Sequence, residues 1–365
     1  MRRDEDSHAN EGWVRRTEER SNRFAVTSSS LIPHPSSLTA MLGFALKRLA
    51  QSIAVLFVMS ALVFAGVYAV GNPIDILINP QADQAEIAAA TAALGLDLPL
   101  WRQYWNFIAG AFAGDLGKSF SANVPAVKLI FERMPATLEL ALAAMVIAIA
   151  FGIPLGLWAG LKPDSIPGRL IMAGSILGFS LPTFWVGLML IMLFSVWLGW
   201  LPPTGRGQTV MVLGVPVSFF TWDGLQHLFM PALNLALFKL SLLIRLTRAG
   251  TREALSQDYV RLARAKGLSM ARVVRVHVLK NIMIPIVTVT GLEFGSLIAF
   301  AIVTETIFAW PGMGKLLIDS INVLDRPVVV AYLLIIVLLF VVINFLVDLA
   351  YTALDPRVRL AGRST

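Results

Sequence analysis

The sequence predicts an all-α fold: a polytopic membrane helix bundle with six transmembrane helices. Of its 365 residues, 56% are hydrophobic and only 15% are charged, and the mean hydropathy is +0.72. A soluble domain of this size would expose too much apolar surface to stay in solution. A helix needs about 20 apolar residues to cross the hydrocarbon core of a bilayer. Six stretches meet this length: 49–70, 136–160, 170–198, 228–246, 282–307 and 328–351.

The placement of Lys and Arg predicts the orientation of the bundle. The region from Arg245 to Lys280 holds nine Lys/Arg against two acidic residues, whereas the loop 71–135 holds four Lys/Arg against six Asp/Glu. Other basic residues precede the first span, separate the second from the third and follow the sixth. Because cytoplasmic loops carry an excess of Lys and Arg, both termini and the 245–280 region are predicted to be cytoplasmic. The clustering between two spans also argues against a nucleic-acid partner.

Residues 1–40 are predicted to be a disordered polar extension. They hold six Arg and six Asp/Glu without an apolar period, which is typical of disorder, and they lack a signal-peptide pattern. The composition changes at Met41. Either Met41 is the true start and the first forty residues come from a mis-assigned gene start, or they form a real cytoplasmic tail. Residues 41–365 are predicted to be one transmembrane domain.

The loop 71–135 is predicted to hold two short helices. Asp83 can cap a helix that runs through Ala93 and ends at Gly95, and Pro99 suits the first turn of a second helix. The second helix carries an apolar-aromatic stripe, which is predicted to pack on the bundle or to lie in the membrane interface. The stripe consists of Trp101, Tyr104, Trp105, Ile108 and Phe112.

No catalytic, cofactor-binding or metal site is predicted, so the chain is not expected to be an enzyme. The sequence has no cysteine, which excludes disulfides, thiolate metal sites and cysteine nucleophiles. Phosphate-binding glycine loops, His-Glu-x-x-His and Gly-x-Ser-x-Gly are all absent. The four histidines are scattered without ligand spacing. If the protein does work, the energy comes from a partner.

Ionisable residues within spans are candidates for a polar pathway. Lys239 lies in the middle of the fourth span and Glu293 lies within the fifth. Burying either one unpaired costs about 2.5–3.5 kcal/mol on insertion scales, so they either pair or line a wet pathway; snorkelling is the alternative for Lys239. Glu139 and Asp348 lie near span ends and are expected at the interface. Kinks or breaks are predicted at four prolines: Pro154, Pro182, Pro231 and Pro285.

The loop 247–280 carries the clearest functional pattern. The segment 251–267 is predicted to be one amphipathic helix, because Leu255, Tyr259 and Leu262 recur at i, i+4 and i+7. Gly267 can take a left-handed conformation and end this helix, and a second short helix over about 270–280 returns to the membrane. Such a helix could lie on the anionic inner leaflet or dock into a groove on a partner protein.

This loop resembles the EAA loop of ABC importer permeases of the dipeptide and oligopeptide family. In the general motif, Glu-Ala-Ala is followed by three residues and then a glycine. An Ile-x-Leu-Pro block follows at a fixed distance. Here Arg261-Leu262-Ala263 stand in place of Glu-Ala-Ala, Gly267 matches the glycine, and His277-Val-Leu-Lys280 occupy the last block. The peptide-type variant, Asp258-Tyr-Val-Arg followed by Ala263-Arg-Ala-Lys-Gly267, matches more closely.

Further blocks in family order extend the resemblance over nearly all of residues 41–360. They are similar to the first permease of the pair, which has a long external loop after its first span. The blocks are Leu94-Gly-Leu-Asp97, Gly114-Asp-Leu-Gly117, Arg133-Met-Pro-Ala-Thr-Leu-Glu139, Ser180-Leu-Pro-Thr-Phe184, Leu198-Gly-Trp-Leu-Pro202, Glu305-Thr-Ile-Phe-Ala-Trp-Pro-Gly312 and Leu354-Asp-Pro-Arg357.

The resemblance implies a permease subunit in a bacterial inner membrane. It would pair with a second homologous permease around a pathway for di- and oligopeptides, which an external substrate-binding protein delivers. Two ATPase subunits would dock at the cytoplasmic face. The residues implied in ATPase coupling are Leu255, Tyr259, Arg261, Leu262, Ala263 and Gly267. The alternatives are the same importer class carrying nickel, glutathione or another small solute, or an ATP-independent six-span channel or receptor.

Overall fold

The computed structural model describes residues 36–68, 83–93 and 95–354. The chain divides into two compact units, Met1–Ile53 and Ala54–Thr365. Helix α1, Ser36–Tyr68, begins before Met41, where the composition changes. Residues 1–35 lie outside the described residues, so the predicted disorder stays a prediction, as does the start site.

The two short helices predicted in the loop 71–135 are confirmed. They are α2, Gln84–Ala93, and α3, Leu100–Phe112. The carboxylate of Asp83 accepts a hydrogen bond from the Glu86 N–H at 2.8 Å, and Gly95 has a φ of +64°. Tyr104 packs edge-on against Phe64 at 5.3 Å. Part of the aromatic stripe therefore packs on α1, while Trp101, Trp105 and Phe112 are exposed.

The remaining elements are nearly all helical. They are α4 Ala126–Leu161, α5 Ile166–Ser180, α6 Thr183–Leu190, a π-helical turn Ile191–Trp197, β1 Val210–Val212, β2 Val215–Val217, α7 Trp222–Ser256, α8 Asp258–Ala265, α9 Met270–Val273, a second π-helical turn Val274–Val278, α10 Leu279–Ile307, α11 Met313–Asn322 and α12 Arg326–Leu354.

In the described part of the chain, four helices are long and apolar enough to cross a membrane. They are Ala126–Leu161, Trp222–Ser256, Met270–Ile307 and Arg326–Val347. A fifth candidate is the pair Ile166–Ser180 and Thr183–Trp197, which is bent by 109°. The apolar part of α1 described is the shorter Ala50–Gly66. The helical membrane fold is thus confirmed, and the count of six spans stays a prediction.

Only one of the four span prolines interrupts its helix. Pro182 lies between α5 and α6, where the 109° bend occurs, because a proline removes a backbone donor and clashes with the preceding turn. The predicted break is confirmed there. Pro154, Pro231 and Pro285 lie inside continuous helices.

The tightest helix pair in the bundle is α4 with α7. A Cβ added at Gly156 would lie 2.6 Å from the Ile244 carbonyl oxygen and 2.7 Å from Thr247 Cβ. Only glycine permits this backbone approach, and small residues let helices pack closely in membranes. The main buried cluster lies beside this seam and includes Ile130, Leu140, Leu297 and Trp310.

The bundle has two ends that differ in construction. One end, called here the hairpin end, carries the loops before α4, α7 and α12, together with the antiparallel pair β1–β2. Its turn residues Leu213 and Gly214 both have positive φ, as expected for a two-residue hairpin. The other end, called here the α8 end, carries the loop between α7 and α10.

The α8 end corrects the prediction of a single helix over 251–267. Thr251–Ser256 continue the long helix α7, and Gln257 interrupts the helix with an extended ψ of 148°. The separate helix α8 then runs from Asp258 to Ala265. The sequence pattern missed this break because the i, i+4, i+7 spacing continues across it. The segment 270–280 is helical, as predicted.

Candidate functional site

Helix α8 buries one face and exposes another. Val260 and Ala263 are buried, and they belong to an apolar cluster with Val273, Val278 and Ile282. Tyr259 is 38% exposed and Leu262 is 57% exposed. The buried face therefore holds α8 on the bundle, while Tyr259 and Leu262 are available to a partner.

Gly267 ends the turn after α8, as predicted. Its φ is +80°, its N–H donates to the Arg264 carbonyl at 2.9 Å, and the Leu268 N–H donates to the Ala263 carbonyl at 3.3 Å. These two bonds form a Schellman motif, which requires the left-handed conformation that glycine adopts freely. Gly267 thus sets the direction in which the chain leaves α8.

One side-chain hydrogen bond ties α8 to the start of α10. The amide nitrogen of Asn281 donates to the Tyr259 hydroxyl at 2.8 Å and to the His277 carbonyl at 2.9 Å. The Tyr259 and His277 rings are 6.5 Å apart. Sequence reasoning missed Asn281, because a lone asparagine in a basic loop gives no signal. The contact links the position of α8 to that of α10.

The six predicted coupling residues do not share one exposed face, because Ala263 is buried and Leu255 lies outside α8. Leu255 lies in the last turn of α7 and packs on the apolar cluster beneath α8, so it does not share the exposed face of Tyr259 and Leu262. Arg261 is exposed, and its pair with Asp258 at 3.4 Å joins side chains that are 73% and 97% exposed. Such a surface pair contributes little to stability.

Lys239 and Glu293 pair with each other inside the bundle. The Lys239 ammonium contacts the Glu293 carboxylate and donates to Ser296 Oγ at 2.7 Å. The side chain of Lys239 is 9% exposed and that of Glu293 is 31% exposed. The pair brings together two residues that the sequence singled out separately. One edge of the Glu293 carboxylate remains open.

Glu139 is buried at the hairpin end, where sequence reasoning expected a residue at the membrane interface. Its carboxylate accepts hydrogen bonds from Arg206 Nε at 3.0 Å and from the Ser218 N–H at 2.7 Å. The side chains of Arg206 and Glu139 are 10% and 4% exposed. Burial of both charges in one pair fixes the β1–β2 loop to α4. The predicted interfacial Asp348 has a side chain outside the described part of the structure.

Two more carboxylates pin loops at the hairpin end. Glu305 is fully buried and accepts from Thr137 Oγ1 at 2.6 Å and the Lys315 N–H at 3.0 Å. Asp325 accepts from Ser119 Oγ at 2.5 Å and the Phe120 N–H at 3.0 Å. Buried polar groups with several donors hold loops in one arrangement. Two of the sequence blocks, 133–139 and 305–312, meet through these contacts.

Within the described ranges 36–68, 83–93 and 95–354, no group of three or more His, Cys, Asp or Glu side chains has the geometry to hold a metal ion.

Comparisons with known proteins identify the family. Residues 152–360 match the family described as binding-protein-dependent transport system inner membrane component, and residues 41–141 match its N-terminal region. The di/tripeptide transport system permease protein DppB of Pseudomonas aeruginosa (strain UCBPP-PA14) is 41% identical over 333 residues, 87% of this chain and 99% of that protein. The glutathione transport system permease protein GsiC of Escherichia coli (strain K12) is 40% identical over 320 residues, with the same coverage.

A solved structure of the MetNI methionine ABC transporter, in an inward-facing conformation, aligns with 62% of this chain and 96% of its own chain. Its sequence identity is 16% and the TM-score is 0.48, so the family assignment rests on the sequence matches. The chain belongs to the family of binding-protein-dependent transport system inner membrane components.

Proposed function

We propose that this chain is one of two permease subunits of an ATP-driven importer and that it conducts di- or oligopeptides delivered by an external binding protein. The two ATPase subunits dock at the α8 end, which faces the cytoplasm. The hairpin end faces the binding protein. In this proposal the chain hydrolyses no ATP itself, and six helices cross a bacterial inner membrane.

The observation that carries the proposal is the two-faced helix α8. Its apolar anchor of Val260 and Ala263 transmits force to the bundle, and Tyr259 and Leu262 offer an exposed apolar contact. A short amphipathic helix suits a groove on a partner protein. A rigid-body movement of docked ATPases would then shift α8, and with it the ends of α7 and α10. Arg261 and Gly267 complete the proposed coupling segment.

The solute class rests on the relatives. One is named a di/tripeptide permease and another a glutathione permease. The match to this chain covers nearly the full length of each relative. Glutathione is itself a tripeptide, so it is the second candidate solute. These names favour peptides over nickel, and the family favours an ATP-coupled importer over an independent channel.

Lys239 and Glu293 are proposed to border the pathway. A charged pair in the middle of a span is costly against lipid and marks substrate routes in membrane proteins. Because the chain has no native cysteine, Lys239→Cys gives a single labelling site within this chain. It should react with a water-soluble thiol reagent in the assembled transporter. Complete protection in every nucleotide state would place Lys239 outside the pathway.

The test of the function is reconstitution. Vesicles that hold both permeases and both ATPases should accumulate a labelled dipeptide only when ATP and the peptide-loaded binding protein are present. Oxidised and reduced glutathione and Ni²⁺ serve as competing solutes. Uptake without ATP would support a channel instead, and uptake of Ni²⁺ alone would reassign the solute.

A further inference from the structure

The interruption between α5 and α6 leaves unpaired backbone groups in the middle of a predicted span. Pro182 has no N–H to donate to the Gly178 carbonyl. The carbonyl oxygens of Phe179 and Ser180 likewise accept no hydrogen bond from any residue that the structure describes. On the other side of the break, the Thr183 and Phe184 N–H groups have no backbone acceptor among those residues.

This break lies within the predicted membrane-spanning part of the bundle, and its contacts set its level against α7. The Arg245 guanidinium lies 4.5 Å from the centroid of the Phe179 ring, and Gly178 lies against Ser241. At about 1.5 Å per residue, Lys239 lies about 9 Å along α7 from Arg245, and half the hydrocarbon core is about 15 Å thick. The break and Lys239 therefore share one level inside the hydrocarbon core, on the Arg245 side of its midplane.

Direct contacts join the break to the charged pair. The Phe179 ring stacks on the Phe238 ring with centroids 4.7 Å apart, and the Lys239 ammonium lies 5.2 Å from the Phe238 centroid. At Gly178 a Cβ would lie 2.8 Å from Ser241 Oγ, so the last turn of α5 lies directly against α7. Free carbonyls, free N–H groups, one ammonium and one carboxylate thus share one region.

The exposure of the break requires an occupant. Leu181 is 39% exposed and Phe184 is 54% exposed, so the interrupted backbone is open on the surface of this chain. Lipid cannot satisfy free backbone groups, and irregular backbone at this depth occurs only where protein covers it or where it lines a water-filled cavity. Transporters use such interrupted helices to bind substrate within the membrane.

We propose that the break at 180–183 and the Lys239–Glu293 pair form a binding site within the membrane for the zwitterionic main chain of a peptide. The carbonyls at the end of α5 and the open edge of Glu293 accept hydrogen bonds from the ammonium and amide N–H groups of the peptide. The free N–H groups of α6 and the Lys239 ammonium donate to its carboxylate and carbonyls. Recognition through main-chain groups alone would suit peptides of varied side chains. This inference rests on the proposed function.

Cysteine labelling in the reconstituted transporter tests the site directly. Leu181→Cys should react with a membrane-impermeant maleimide, and the binding protein loaded with trialanine, together with ATP, should slow the reaction several-fold. Val146→Cys is the matched control, because Val146 is 56% exposed in the middle of the continuous helix α4 and should stay unlabelled. If Leu181→Cys is unreactive in every nucleotide state, or if peptide leaves its rate unchanged, the site is refuted.

A second variant changes the backbone at the break. Pro182→Ala restores an N–H that can satisfy the Gly178 carbonyl, and uptake of trialanine should fall by about tenfold, the effect of losing one hydrogen bond to a charged group. Pro154→Ala, in the unbroken helix α4, should change uptake by less than about twofold. Equal uptake by both variants would refute the site. In wild-type vesicles, ATP hydrolysis stimulated by the loaded binding protein tests the proposed function separately.

Discussion

The hairpin end and the α8 end hold their loops by different means. At the hairpin end, the carboxylates of Glu139, Glu305 and Asp325 are buried and each accepts at least two hydrogen bonds. At the α8 end, apolar packing and the Tyr259–Asn281 hydrogen bond hold a helix whose other face is open. The first construction fixes loops in one arrangement, and the second presents a surface that a partner can move. The carboxylates with several buried hydrogen bonds thus hold the loops of the hairpin end, whereas α8 is held mainly by apolar packing.

The largest effect is expected from breaking the buried pair at the hairpin end. Glu139→Ala leaves the Arg206 guanidinium buried without its carboxylate, so the free energy of unfolding should fall by about 3–5 kcal/mol. Glu132→Ala is the matched control on the same helix, since its pair with Lys128 joins side chains that are 64% and 57% exposed, and it should cost at most about 1 kcal/mol. Thermal unfolding of the purified chain in detergent measures both. Equal melting temperatures would contradict the fixed arrangement of this end.

The second-largest effect on stability is expected at the contact between α4 and α7. Gly156→Ala places a Cβ against the Ile244 carbonyl, and overpacking of this kind costs about 1–3 kcal/mol. Gly174→Ala is the control, because nothing lies within 4 Å of its added Cβ and alanine favours a helix by up to about 1 kcal/mol. The two variants should shift the melting temperature in opposite directions. A stable Gly156→Ala variant would mean that α4 and α7 can separate at no cost.

At the α8 end, Gly267 should matter for coupling more than for stability. Gly267→Val forces a β-branched residue into a left-handed conformation at a cost of about 1–2 kcal/mol, and misdirects the chain after α8. Gly267→Asn is the control, since asparagine tolerates this conformation. Gly267→Val should reduce the uptake driven by each ATP hydrolysed, whereas Gly267→Asn should keep it. The same uptake-to-hydrolysis ratio in both would show that this turn does not set the position of α8.

Removing the Asn281 contact should have the smallest effect on stability. Asn281→Ala frees the Tyr259 hydroxyl, which is already exposed to water, so about 0.5–1.5 kcal/mol at most is lost. Uptake should fall while the melting temperature changes little. Tyr259→Phe removes the same hydrogen bond from the other side and should behave alike. Full uptake by both variants would show that apolar packing alone holds α8.

Much of this architecture follows from the sequence. Apolar length predicted the four long apolar helices and the bent pair, Asp83 and Pro99 predicted two short helices, and Pro182 predicted the break in the third predicted span. Gly267 predicted the end of the turn after α8, because positive φ selects glycine. These features depend on local physics, which a single sequence carries.

The contacts between distant residues could not be predicted in the same way. The partners of Glu139 and Glu305 lie on other segments, and Arg206 lies in a loop that has no periodic pattern. Nothing local indicates which donors will surround a carboxylate. The break at Gln257 was missed for a different reason: the apolar period that predicts a helix continues across it, and backbone geometry alone reveals the interruption.

The central claim is that the exposed face of α8 docks the ATPases. The direct measurement is ATPase co-purification with the tagged permease pair, in which Leu262→Asp and Tyr259→Ala are compared with Leu213→Asp at the tip of the β1–β2 turn. The account predicts that both α8 variants, and Gly267→Val with them, lose bound ATPase or its coupling to uptake, while Leu213→Asp retains both. A helix docked on lipid would depend instead on its Arg and Lys charges. If the α8 variants keep bound ATPases and full transport, the docking assignment is wrong.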